Sequence, residues 1–249
     1  QFGSMGKPYN AGISAANGVE CATLAGLGFT SADDGLMGHQ GFVGAHLPSG
    51  GAVTGPDLAL DSYKFPDNKY KLHACCHGLH PMIEALQASE AAAGVPLDDI
   101  KSFSLSTNPR WLAVCDIKRP RTGLEVKFSY NWLAGMTLRG DNTGDDRLFT
   151  DTIAGEAELG RFAERISVTG DDQLTDLQAR GEISLTDGRA IPVWFDLADP
   201  FAPEVLAEKL QRKSSTIIGD AGAAIWDLHP RLGQLGARDI ASAMLAASA

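Results

Sequence analysis

The stretch "GEISLTDGRAIPVWFDL", residues 181–197, constrains the fold of this chain more than any other. Asp187-Gly188 sits between two strand-like runs. Asp-Gly readily takes the positive backbone angles of a tight hairpin turn, so an antiparallel β-hairpin is predicted here. An isolated hairpin is not stable in water. It needs further strands or a covering helix. "IKSFSLS" at 100–106 and "WLAVCDI" at 111–117 read as strands that could supply them.

Elsewhere the signals are helical. Residues 11–27, "AGISAANGVECATLAGL", predict a helix of small residues, which let a neighbouring backbone come close; it reads as buried in a bundle and capped by Gly28. Ser31-Ala32-Asp33-Asp34 suits the start of a short helix, and the Gly- and Pro-rich residues 38–66 read as a connector and domain boundary. Pro81 and Gly94 bracket a helix at 81–93. Another is predicted at 125–138, followed by an acidic segment near 141–158. Helices at 203–213, 220–228 and 237–247 close the chain, with Asp220 expected as an N-cap.

A formal net charge of −10 over 249 residues, without a Lys/Arg-rich run, argues against a nucleic-acid surface. No apolar run reaches the length of a membrane span. Four cysteines, two of them adjacent, do not form a disulfide framework, so a cytoplasmic setting is expected. If the ligand is an anion, cations must be gathered in one cleft against that background.

"KLHACCHGLHP", residues 71–81, holds three of the six histidines and two of the four cysteines. Adjacent Cys75 and Cys76 diverge and cannot grip one ion as Cys-x-x-Cys does, and no second ligand pair lies elsewhere. No metal and no cofactor are expected. The stretch reads instead as a pocket wall, with histidines as polar contacts and cysteines as small packing residues. His39, His46 and His229 receive no role, and "GLGFTSADDG" lacks the ending of a phosphate loop.

Three motifs, taken in order, resemble the MmgE/PrpD family. "FGSMGKPYNAG" is similar to the family's "FGTMTKPLHAG" through Phe2, Gly3, Met5, Lys7, Pro8, Ala11 and Gly12. Lys71, Cys75, Cys76, His80 and Ile83-Glu84-Ala85 stand in the places of its second motif, a basic or aromatic lead, then "CC", then "THxAID". Val126-Lys127-Phe128-Ser129, Trp132 and Gly140 match the third. Asn10 replaces a usual His, and Gly6 a usual Thr. Family members include 2-methylcitrate dehydratase, cis-aconitate decarboxylase and iminodisuccinate epimerase.

The resemblance implies an α+β chain with helical-bundle segments at both ends flanking a mixed α/β lid. Residues 1–69 would belong to a helical domain, 70–200 to the lid, and 201–249 would return to the helical domain. It also implies a lyase or isomerase that abstracts a proton next to a carboxylate of a small di- or tricarboxylic acid. Dehydration, decarboxylation and epimerisation share that step. Lys7, between Gly6 and rigid Pro8, would clamp a carboxylate or stabilise an enolate-like charge. His80 would move a proton; Pro81 should push its backbone out of the α region, to the N-cap of the next helix. A helix N-terminus keeps an imidazole neutral and able to accept a proton. Asn10, Cys76 and His77 would contact substrate. Family members are longer, so a homo-oligomer or a chain supplying the N-terminal half is expected as partner. The contrasting reading is a catalytically silent half-protein, structural or ligand-binding, that depends on such a partner.

Overall fold

The computed structural model describes residues 3–47 and 68–247. Phe2 and most of the 38–66 connector lie outside them. The chain forms two compact units, one of residues 5–68 and the other of residues 1–4 with 69–249.

In the smaller unit, helix α1 spans Gly6–Gly26 and a short helix α2 spans Phe42–His46. α1 begins five residues earlier than its pattern suggests. Pro8 is no obstacle, because first-turn N–H groups have no intrahelical partner to lose. The C-terminus follows the sequence: Gly28 takes φ +89°, its N–H donates to the Ala25 carbonyl, and Phe29 N–H reaches back to Leu24. The expected burial is not found, since α1 buries none of its residues. Ile13, Val19 and Leu24 are spaced six and five apart and do not line one face. Residues 31–34 do not form a helix; a turn begins at Asp33, with the Asp34 carboxylate accepting from Met37 N–H at 2.7 Å.

The larger unit opens with a 3₁₀ turn, His77–Leu79, that runs straight into α3, His80–Ala88. Strand β1 (Ile100–Thr107) leads into two short helices, α4 (Leu112–Cys115) and α5 (Gly123–Val126). Then come α6 (Tyr130–Leu138), α7 (Asp151–Ala154) and α8 (Ala157–Ala163). Strands β2 (Ile166–Gly170), β3 (Gln178–Leu185) and β4 (Ala190–Asp196) follow. Helices α9 (Pro203–Ile218), α10 (Asp220–Trp226) and α11 (Ala237–Ala247) complete it.

The sheet order is β2-β1-β3-β4, with β1 parallel to β2 and the other pairs antiparallel. The helices with this mixed sheet make the chain α+β. The Asp187-Gly188 hairpin is present: Gly188 sits at φ +89°, and the Asp187 carboxylate accepts from Arg189 N–H at 3.0 Å. Pro192 is accommodated because β4 is an edge strand. Phe103, Leu105, Ile183, Leu185, Ile191 and Val193 point into the core, while Arg180, Glu182 and Trp194 face outward. α3 packs over β3 and β4 and against α6, which in turn packs on α8.

Three expectations fail for local reasons, and one strand, β2, was not foreseen. Residues 111–115 are helical and no strand forms at 111–117: Asn108 caps a 3₁₀ turn by accepting from Arg110 N–H at 3.1 Å, and Pro109 fixes its first position. The helix at 125–138 is two helices, because Ser129 breaks the run and caps α6 through Trp132 N–H at 3.3 Å. β2 carries only weak alternation in five residues. Asp220 is the first residue of α10, and its N-cap is Gly219, at φ +58°.

The segment before α3 is held by its backbone. Ala74 N–H donates to Thr143, Cys76 N–H to Lys127, and the Tyr130 hydroxyl to the Gly78 carbonyl at 2.8 Å. A Cβ on Gly78 would stand 2.4 Å from the Trp111 ring. Gly78→Ala should therefore destabilise by about 1–3 kcal/mol in chemical denaturation, the usual cost of overpacking. Gly160→Ala, in α8 with nothing within 4 Å, should be neutral or slightly stabilising.

Candidate active site

Three imidazoles meet where the 3₁₀ turn enters α3. The rings of His73 and His77 each lie 4.9 Å from that of His80, centroid to centroid. His80 is fully buried, and neither of its ring nitrogens has a hydrogen-bond partner among the described residues; Nε2 of His77 is likewise unpaired. Contrary to the pre-proline expectation, His80 has helical angles, φ −59° and ψ −43°. The turn behind it and the packing of α3 override the local bias against that conformation. Burial, reinforced by the other two histidines and Lys71, takes its pKa down to about 2. An unpaired buried imidazole is costly unless it stays neutral, and unpaired groups of this kind concentrate at functional sites.

His73 is anchored on both sides. Nε2 lies 3.0 Å from the Glu84 carboxylate and Nδ1 2.7 Å from the Thr143 hydroxyl. Burial outweighs Glu84 and lowers the His73 pKa, so the ring is neutral. A carboxylate can only accept, so Nε2 carries the proton and Thr143 donates to Nδ1. Glu84 is itself buried, which alone would raise its pKa. Hydrogen bonds from His73 and from Lys209 Nζ, at 2.8 Å, instead hold it below the usual carboxylate range. The pair is a charge-assisted hydrogen bond between a neutral ring and an ionised acid.

Beside this group a cleft of about 70 Å³ is lined by His73, Glu84, Thr143 and three cations of α9: Lys209, Arg212 and Lys213. Lys213 also donates to the Lys71 carbonyl, and burial followed by Lys71 lowers its pKa. A larger cavity of about 640 Å³, between α6 and α8, contains none of the three histidines.

Of the residues singled out in the sequence, Cys76, His77 and His80 come together here. Cys75 beside them is a thiol pushed up to about 12 by burial and is inert. Lys7 and Asn10 belong to the other unit, both in the first turns of α1 and both exposed. Among the described residues no group of three or more His, Cys, Asp or Glu is arranged to hold a metal ion. Sequence reasoning missed Glu84, Thr143, Lys209, Arg212 and Lys213. The spacing of 209, 212 and 213 along one helix face was the only signal for the cations.

The MmgE/PrpD C-terminal domain matches residues 73–228. Members of this family are generally lyases or isomerases. The chain belongs to the MmgE/PrpD family. The matched span contains all three clustered histidines and the cationic face of α9, and it leaves out Lys7, Asn10 and Lys71. No curated protein matches the chain. Among the described residues no helix is long and apolar enough to cross a membrane.

The histidines make stability depend on pH. His80 protonates in the unfolded chain near 6.5 but in the folded protein only near 2, so its contribution is complete above 6.5 and is lost as pH falls below it. Between pH 8 and pH 5 the loss from His80 should be about 2 kcal/mol, with His73 adding in the same direction. Urea denaturation at both pH values measures this, and His80→Leu should flatten much of the slope.

Proposed function

We propose that the chain acts on a small di- or tricarboxylic acid by cofactor-free proton abstraction next to a carboxylate. One observation carries this reading: a neutral, buried imidazole with both nitrogens unpaired, in a nest of cations. A free histidine with a pKa near 2 is a feeble base. A bound carboxylate changes that, because a nearby negative charge favours the protonated ring. The substrate thus switches on the base that acts on it. His77, only half-buried and with its ring 4.9 Å from that of His80, is assigned to contact with the substrate. The cations stabilise the enolate-like charge that forms as the proton leaves. Lys7 is assigned to a substrate carboxylate on its match to the family motif.

The direct test is incubation in D₂O with citrate-type tricarboxylates, cis-aconitate and amino-dicarboxylates, followed by proton NMR. Protein-dependent loss of a C–H signal next to a carboxylate, or its conversion to product, is expected. Lys7→Ala and His80→Asn should each slow it at least about 100-fold, roughly 3 kcal/mol of transition-state stabilisation. Binding without exchange for every acid would replace this reading with that of a silent ligand-binding subunit.

The partner of α1 belongs to the same proposal. Met5, Tyr9, Val19 and Leu27 are 81%, 70%, 70% and 81% exposed, more large apolar surface than one helix normally leaves in water. A second copy or another polypeptide is assigned to that surface. Light scattering at micromolar concentration should give a mass above 26.3 kDa, and a well-behaved monomer would remove the assignment.

A further inference from the structure

We infer that the face of α9 carrying Lys209, Arg212 and Lys213 is a carboxylate subsite, holding the end of a polycarboxylic acid remote from the reacting carbon. It deepens the reading above and rests on it for the identity of the reacting carbon alone.

Local charge is the first argument. The protein carries a net −10, yet three cations of one helix line a single small cleft. The one acid in its wall, Glu84, is 3% exposed and already accepts from both His73 and Lys209. Lys209 and Glu84 neutralise each other, so Arg212 and Lys213 are the two charges left in the wall of the cleft without an acid of that wall. Arg212 does contact Glu208 at 2.6 Å, but that pair is about two-thirds exposed at both ends and is weak enough for a ligand to displace.

Preorganisation is the second. Lys213 is fixed by donating to the Lys71 carbonyl, and about one turn further along α9 Arg147 donates to the Thr216 carbonyl at 3.1 Å. Glu84 fixes Lys209. An ammonium with little freedom left to lose binds an anion at low entropic cost. A planar guanidinium beside it matches a carboxylate in two-pronged geometry.

Size is the third. About 70 Å³ admits a carboxylate or a few waters, not a whole substrate, so the rest of the ligand must extend out of the cleft. His73 is shared: it lines the cleft and packs against His80. A ligand anchored on α9 therefore extends past the imidazoles. Monocarboxylates can satisfy only one of these two places.

Calorimetric titration with propane-1,2,3-tricarboxylate, which cannot dehydrate, tests binding apart from turnover. It should bind in a salt-sensitive manner, at least about tenfold more tightly than acetate. Arg212→Gln and Lys213→Met should each weaken it about tenfold, and Lys213→Arg should recover most of the loss. Arg212 is mostly exposed, so its variant folds whatever its effect on the ligand. Equal affinity in the α9 variants and the parent would overturn the subsite, as would inorganic phosphate binding as tightly as the tricarboxylate. Tight binding that depends on α9, with no exchange in D₂O, would keep the subsite and remove only the catalytic reading.

Discussion

A buried carboxylate holds the site together. Glu84 lies on α3 with 3% of its surface exposed, and it is shared between His73 and Lys209. An ionised acid in such a place must be paired and hydrogen-bonded, and removing either donor leaves charge that water cannot reach. Through His73 the acid also fixes a tautomer, and through that tautomer the hydroxyl of Thr143. Through Lys209 it draws α9 onto α3 across 125 residues of sequence. Three separate parts of the chain are positioned by one charge.

The backbone makes the same arrangement from the other side. The Tyr130 hydroxyl, buried on α6, contacts Thr107 at the end of β1 and donates to the Gly78 carbonyl in the turn before α3. Burial drives the phenol pKa upward, so it remains a donor at any working pH. Gly78 itself lies against Trp111, which is why the turn has no side chain there. The 3₁₀ turn is thereby seated on the sheet, and His77 and His80 are carried with it. Electrostatics and packing agree on one geometry, and neutral imidazoles are what it yields.

The elements that could be read from the sequence are those whose signals are local. The Asp187-Gly188 turn, the strand-like runs on either side of it, Gly28 at the end of α1 and Pro81 at the start of α3 all act within a few residues. His77 and His80 were legible as a group because they are neighbours in the chain. Misreadings came where context decides. The apolar pattern of 111–117 suits a strand as well as a helix, and Pro109 with the Asn108 cap settles it. α1 is small-residued as a packed helix would be, yet it buries nothing here.

What the sequence determined by itself was the secondary structure that short-range sterics enforce, the family motifs, and the gathering of histidines before α3. What tertiary structure alone decided was the chemistry of those histidines. A ring nitrogen is paired or unpaired, and an imidazole charged or neutral, according to what is brought against it. Here those groups come from positions 84, 143, 209 and 213, as much as 140 residues away in the chain. Burial and Coulomb interactions act over ångströms in space and are indifferent to distance along the backbone. That is why the histidine cluster could be located from the sequence, while its charge state required the fold.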